Sequence, residues 1–375
     1  MDAISDTVFT DLTVNSSSSD DPSLLTVVLD ISPKGWFKLK DRMTIQEATK
    51  YLLVFLNAHL SLNNSNKVAF IASGPSHSKF LYPNPEKNYD EVVGAKENDG
   101  NSSVGQSEDG RKKLKPELIN KDMYRQFRIV DEAVLEELNE CLEEIGDKIT
   151  EDTLSTLSGA ISMALTYTNR ILRVDLSIST STASAISSTA HMTASGSSDL
   201  VVPNATTSSL TSMKSRLLIV TTRDDDNLRY IPIMNSIFAA QKMRLSIDVA
   251  NLGSKSSSYL QQAADATNGV YLHISDPQGL IQILSTAFFI EPSIRPLIIL
   301  PTNSNVNYRA SCFITGKSVD LGYVCSVCLC IMSIIPENDM CPTCGLKFDA
   351  KVLEQLRRGP SFLGKRRKLD STAAA

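Results

Sequence analysis

Much is missing from this sequence of 375 residues. No apolar run reaches the roughly 18–20 residues that a membrane-spanning helix needs, so a helical membrane protein is excluded. The opening stretch MDAISDTVFT has neither a basic nor an apolar region, so no secretory signal is expected. Positive charge is not in excess: 37 lysines and arginines face 42 acids, a net charge of −5. Contact with nucleic acid would have to be local. The four histidines, His59, His77, His191 and His273, are scattered, and no nucleophile–base arrangement is visible. A lone His59 on a helix face reads as packed or solvent-facing. The phosphate loop G-x-x-x-x-G-K-[ST] is absent, which disfavours ATP hydrolysis by that route. Of seven cysteines only Cys141 stands apart from the stretch 312–344. An odd, clustered set is not a disulfide framework and suggests a reducing compartment and a metal site.

What is present begins with polar, Ser-rich residues 1–22, which should be disordered. LLTVVLDIS (24–32) is a continuous apolar, β-branched run, the pattern of a strand buried on both faces. In the following segment Ile45, Ala48, Leu52, Phe55, Leu56 and His59 recur at helical spacing, and Thr44 with Glu47 fits a capping box. KVAFIAS (67–73), KFLYP (79–83), RLLIVTT (216–222), SIDVANLG (246–253) and VYLHIS (270–275) read as further strands. Helices are expected over 124–146, 153–173, 228–245, 258–268 and 279–290. This alternation predicts an α/β fold, a mostly parallel sheet with helices on both faces, over residues 23–300. The 67–73/79–83 pair should supply its one antiparallel edge, and ligands in such sheets bind at the carboxyl ends of the strands. Residues 84–115 and 177–213 are polar or Ser/Thr/Ala-rich and read as disordered insertions.

After a bridge punctuated by Pro292, Pro296 and Pro301 comes Cys325-Ser-Val-Cys328, then Cys341-Pro-Thr-Cys344-Gly345. Two C-x-x-C pairs offer four thiolates, enough to close one tetrahedral zinc site in a module over 305–350. A filled shell has no position for water or substrate, so this zinc is structural. Gly345 permits the tight turn that such a pair requires. Cys312 and Cys330 are left over and read as packed small residues. A RING-type pair of zinc sites needs eight ligands, more than this stretch contains. Between 305 and 348, Arg309, Lys317 and Lys347 balance Asp320, Glu337 and Asp339, which gives no basic face for phosphates. Val324, Val327, Leu329, Ile331, Met332, Ile334 and Ile335 are too many for so small a fold to hide, so an apolar face that docks on protein is expected. The tail 351–375 carries Lys365-Arg366-Arg367-Lys368, either a nuclear-import signal or a solvated charge run.

LLTVVLDISPKGW resembles the first strand and loop of a von Willebrand A domain, and YRASCFITGKSVDLGYVCSVCLCIMSIIPENDMCPTCG resembles the zinc module of one family. That family is the smaller von Willebrand A subunit of the TFIIH core, the Tfb4-type subunit. The resemblance covers residues 24–350 apart from the two insertions. It implies a nuclear, non-catalytic scaffold in transcription initiation and nucleotide-excision repair, which binds the larger von Willebrand A subunit of TFIIH alongside other core subunits. The implied cofactor is one structural Zn²⁺ on Cys325, Cys328, Cys341 and Cys344. Adhesive members of the wider fold hold Mg²⁺ on a D-x-S-x-S loop. Here Asp30 and Ser32 match and Lys34 takes the third position, with Asp224 or Asp225 as second acid and Thr153 or Ser155 near the threonine position. A lysine ammonium repels a dication, so these positions read as vestigial and Mg²⁺ is not expected. The alternatives are a metal-dependent von Willebrand A ligand-binding protein and a nucleic-acid-binding zinc ribbon.

Overall fold

The computed structural model describes residues 21–84, 87, 124–147, 156–192, 213–223, 228–292, 294–298, 306–334, 336, 338–349 and 353–354. The expectations for residues 1–20, most of 84–115, Asp224, Asp225, Thr153, Ser155 and the basic tail fall outside these. The chain divides into two compact units, residues 1–307 and 308–375.

The first unit is built on β1 (Ser23–Asp30), all eight residues of which are buried. Around it lie β2 (Lys67–Ser73), β3 (Ser78–Tyr82), β4 (Lys214–Thr221), β5 (Ser246–Asn251) and β6 (Tyr271–His273). They form one sheet in the order β3-β2-β1-β4-β5-β6. Every pairing is parallel except β2 with β3, the antiparallel edge that the short strand pair predicts.

A central strand buried on both sides needs a helical layer on each. On one face, α2 (Ile45–Leu62) and α3 (Arg125–Asp147) press Leu52, Phe55, Val134 and Leu138 against Val27 and Leu29 of β1. The helical turns over 277–288, with α7 (Leu280–Ile283) at their centre, add Leu284 and Phe288. On the other face, α4 (Leu157–Met192), α5 (Tyr230–Lys242) and α6 (Ser258–Ala266) bring Ile161, Ile237 and Leu260 onto Val28, Ile219 and Val249. The capping box of α2 is formed: Glu47 N–H donates to Thr44 Oγ1 and Thr44 N–H to the Glu47 carboxylate. No helix among the described residues is long and apolar enough to cross a membrane.

Two elements depart from the sequence reading. Residues 33–39, read as loop, form the short helix α1 (Pro33–Leu39), with Pro33 in the first turn, where its fixed φ is pre-organised and its missing N–H costs nothing. The run from 177, read as a disordered insertion, continues the backbone of α4 as far as Met192. No proline or glycine lies between Ala160 and Ser195, so nothing in the chain stops the helix, despite its polar composition.

The second unit holds a two-stranded antiparallel ribbon, β7 (Tyr323–Val324) and β8 (Ile331–Met332). Its small core gathers Cys325, Met332 and Cys341 with Leu346 and Phe348 packed against them.

Buried charges tie the first unit together. Arg295 grips Asp248 of β5 through both oxygens, at 2.7 and 2.6 Å. Glu137 of α3 takes the Lys79 and Lys87 ammonium groups at 2.8 and 2.7 Å. Burial alone would raise the Glu137 pKa; these cations and Asn84 outweigh it and hold it at about 2. His59 is buried near the end of α2, with Nε2 3.3 Å from Ser23 Oγ and no partner for Nδ1 among the described residues. Burial, and then the Arg216 charge, lower its pKa to about 4. The unfolded chain therefore takes up a proton below about 6.5 that the fold refuses until about 4. Stability should fall by on the order of 3 kcal/mol as pH drops through that window. Urea unfolding between pH 7 and 4 should show a shallower pH slope for His59→Gln than for the parent; equal slopes would contradict the assignment.

Candidate functional site

In a sheet of this order the crevice opens where the strand order reverses, at the carboxyl ends of the parallel neighbours β1 and β4. Asp30 ends β1 and Thr221 ends β4. The crevice is filled. Both Asp30 carboxylate oxygens lie 3.0 Å from Arg223 Nε, and they also accept from Ser32 N–H at 3.1 Å and Thr221 Oγ1 at 3.0 Å. The Asp30 carbonyl accepts from Trp36 Nε1 at 2.6 Å, which seats α1 over the pair. Asp30 is fully buried and Arg223 is 5% exposed. Burial raises the Asp30 pKa, against the guanidinium, the Ser32 N–H and the Thr221 hydroxyl, all of which favour the carboxylate.

Neighbouring groups close the same spot. The Gly74 carbonyl accepts from Thr156 Oγ1 at 2.6 Å and from Arg223 Nη2 at 3.5 Å. Gly35 lies so close that a Cβ there would collide with the Thr222 side chain. Ser32 Oγ and Thr222 Oγ1 are buried without a hydrogen-bond partner among the described residues. This set does not fit Mg²⁺. A hard dication wants six or more oxygens, whereas here the one carboxylate is engaged by a guanidinium that brings the positive charge itself. The blocking cation is thus Arg223 and not Lys34, which is exposed on α1. The threonine hydroxyl brought to this place is Thr156, one residue beyond the stretch singled out from sequence.

The four cysteines of the second unit do converge. The sulfurs of Cys325, Cys328, Cys341 and Cys344 all lie within 4.8 Å of one another. Cys325 and Cys344 are 3.7 Å apart, Cys328 and Cys341 3.5 Å. Four thiolates about 2.3 Å from one tetrahedral ion would stand about 3.8 Å apart. The set can hold a metal ion.

The local backbone explains the convergence. After Cys325 the chain turns so that Leu329 N–H reaches the Cys325 carbonyl at 2.9 Å, with Leu329 at φ 59°. After Cys341, Gly345 N–H does the same at 2.9 Å with φ 72°, a conformation that glycine adopts without penalty. Backbone N–H groups of Cys328 and Val327 lower the Cys325 pKa. Burial works against the Cys341 thiolate, but N–H groups of Cys344 and Thr343 bring it to about 5. The Leu346 N–H lowers the Cys344 thiol, yet desolvation and the sulfurs of Cys328, Cys341 and Cys325 outweigh it and push it up to about 12. Crowded sulfurs cannot all be thiolates unless a cation joins them.

A third turn of the same form runs from Cys312 to Gly316, with Gly316 N–H on the Cys312 carbonyl at 2.8 Å and Thr315 where the other turns carry their second cysteine. Cys312 is buried, and its sulfur accepts from Ser333 N–H and Oγ at 3.1 Å each. Cys330 is half-buried with its sulfur 3.4 Å from that of Cys341.

A family model described as Transcription factor Tfb4 matches residues 22–345, from just before β1 to the last of these turns. The chain belongs to the Tfb4 family. Its similarity to other Tfb4 proteins is nearly end to end. It is 64% identical to the General transcription and DNA repair factor IIH subunit TFB4 of Debaryomyces hansenii, over 99% of this chain and 97% of that one. Identity to the Saccharomyces cerevisiae Tfb4 subunit is 40%, over 96% of each chain. Among solved structures, the crystal structure of the TFIIH p34 N-terminal domain aligns with 72% of this chain and 99% of its own, at a TM-score of 0.47 and 27% identity.

In this Tfb4 chain, sequence reasoning missed Arg223, Thr221 and Trp36. The one available signal was an arginine directly after a buried strand, in Thr221-Thr222-Arg223. Removing Asp30 alone leaves a buried guanidinium uncompensated, so Asp30→Ala should cost about 3–5 kcal/mol in urea unfolding. Asp30→Leu combined with Arg223→Met should recover most of that loss. A double variant no more stable than Asp30→Ala would mean that the pair does not govern this end of the sheet.

Proposed function

We propose that this chain is a non-catalytic scaffold subunit of transcription and DNA repair factor IIH. In this reading it works in the nucleus, in transcription initiation by RNA polymerase II and in nucleotide-excision repair. Its α/β unit holds the zinc-containing region of the larger von Willebrand A subunit, and other core subunits assemble around the pair. The observation that carries the proposal is the near end-to-end similarity to chains named as subunits of that factor.

The geometry supports a binding role without chemistry. The crevice where such sheets act is filled by Asp30 and Arg223. What remains for recognition is shape and apolar contact, which suits a permanent subunit interface. The second unit leaves Val324, Val327, Leu329 and Ile334 more than half exposed, whereas Met332 is buried. Of its balanced charges, Arg309 is already paired with Asp320 at 2.8 Å, so this face favours protein over phosphate.

The metal in this reading is one structural Zn²⁺ on Cys325, Cys328, Cys341 and Cys344. Bound there, it would cross-link the two turns of a unit too small to fold on an apolar core alone. Metal analysis after dialysis should return about one zinc per chain. Cys341→Ser with Cys344→Ser should remove it and unfold residues 308–349, with the α/β unit left intact. Full zinc retention in that double variant would sink the ligand assignment.

Co-expression with the larger von Willebrand A subunit should give a complex that survives high-salt gel filtration. Deleting residues 88–115, which spares Asn84 and Lys87 on Glu137, should leave the complex intact. Failure of the full-length chain to bind that subunit in pull-down and titration calorimetry would overturn the scaffold reading.

A further inference from the structure

The second unit brings a fifth sulfur against its set of four. Cys330 Sγ lies 3.4 Å from Cys341 Sγ. Within the set, Cys328 and Cys341 are 3.5 Å apart, and Cys325 and Cys344 3.7 Å. Cys330 thus stands as close to Cys341 as Cys328 does, near the spacing of about 3.8 Å between two sulfurs on one tetrahedral ion. Its sulfur also meets that of Cys328 and the side chain of Thr343. Cys312 holds no such place, because its sulfur is taken up by Ser333 and Thr315.

The backbone fixes Cys330 there. Leu329, at φ 59°, reverses the chain directly after Cys328. The Cys330 carbonyl then accepts from Cys325 N–H at 3.0 Å, and the next residue, Ile331, pairs with Val324 in the ribbon. One turn therefore presents three cysteines. Spacing decides which of them can serve together. Metal-binding pairs are separated by two to four residues. Cys325 has two residues before Cys328 and four before Cys330, so it can pair with either. Cys328 and Cys330 have only Leu329 between them, which is too short for a pair. Both are half-buried, whereas Cys325 and Cys341 are buried. Exchange of Cys328 for Cys330 leaves the buried ligands in place.

We propose that Cys330, given the structural Zn²⁺ proposed for this cluster, is a reserve ligand that takes the place of Cys328 beside Cys341. In the exchange the sulfur–zinc bond of Cys328 breaks as that of Cys330 forms, and the Cys330 proton passes to Cys328. The site keeps four thiolates and its net charge. The unit thus has two closed ligand sets, which share Cys325, Cys341 and Cys344, and its fold survives the loss of Cys328.

Metal analysis and zinc-edge X-ray absorption on the full-length chain test this. The absorption counts sulfur neighbours at about 2.3 Å against oxygen at about 2.0–2.2 Å. The parent and Cys330→Ser should each hold about one zinc with four sulfurs. Cys328→Ser should do the same, through Cys330. Cys328→Ser with Cys330→Ser should lose the fourth sulfur and bind zinc about a hundredfold more weakly in competition with a chelator. Cys325→Ser removes a ligand that both sets share and should lose its fourth sulfur although Cys330 is present. A parent with four sulfurs whose Cys328→Ser variant shows three, or holds no zinc, would overturn the reserve ligand alone. So would four sulfurs in Cys325→Ser. A parent without zinc would overturn the zinc reading and the reserve ligand together.

Discussion

The buried pair of Asp30 and Arg223 is the contact on which the working end of the α/β unit depends. A carboxylate at the end of a central strand is stable in the interior only with its lone pairs filled. Arg223, Thr221 and Ser32 fill them. In doing so they fix the ends of β1 and β4, and through the Gly74 carbonyl they draw in the end of β2. Trp36 then anchors α1 across the top. A position where this sheet order usually presents a ligand to solvent has become a piece of the core. The fold keeps its shape, and at this crevice the positive charge that an ion would bring is supplied by Arg223.

The second unit faces the reverse problem. Its apolar core is a handful of side chains around Cys325, Met332 and Cys341, too little to offset the entropy of ordering the chain. Three turns of one design shape it. Two of them each present a pair of cysteines, and their sulfurs stand at the spacing of a tetrahedral set. The third keeps the turn and a buried Cys312 but carries Thr315 in place of the partner cysteine. The cluster therefore resolves into four converging sulfurs, a fifth in contact and a sixth outside the set. Tight turns at the cysteines also push Val327 and Leu329 outward, which is why this unit ends with an apolar surface.

The elements of the sheet were readable because each depends on a local pattern. β1 and β4 carry the largely apolar stretches LLTVVL and LLIV, β5 is marked by Ile247, Val249 and Ala250 within a β-favouring run, and Thr44 with Glu47 marks the start of α2. The cysteine turns were readable because ligand spacing is local too. Contacts made across the fold were not. Arg223 and Asp30 are 193 residues apart, and nothing in either neighbourhood says that they meet. Lys34 looked like the cation beside Asp30 because it is near in sequence, but α1 turns it outward. The helical backbone to Met192 was hidden by a Ser/Thr-rich composition, which signals a solvated chain without forbidding a helix.

If Arg223 supplies the charge an ion would bring, the partner binding proposed for the α/β unit must be indifferent to divalent cations. The direct measurement is the affinity of the full-length chain for the larger von Willebrand A subunit, titrated with Mg²⁺ from zero to about 10 mM at constant ionic strength. The account predicts an affinity that stays within about twofold over the whole range. A rise of about tenfold or more with Mg²⁺, lost in Asp30→Ala, would show that the crevice binds an ion after all and would contradict it.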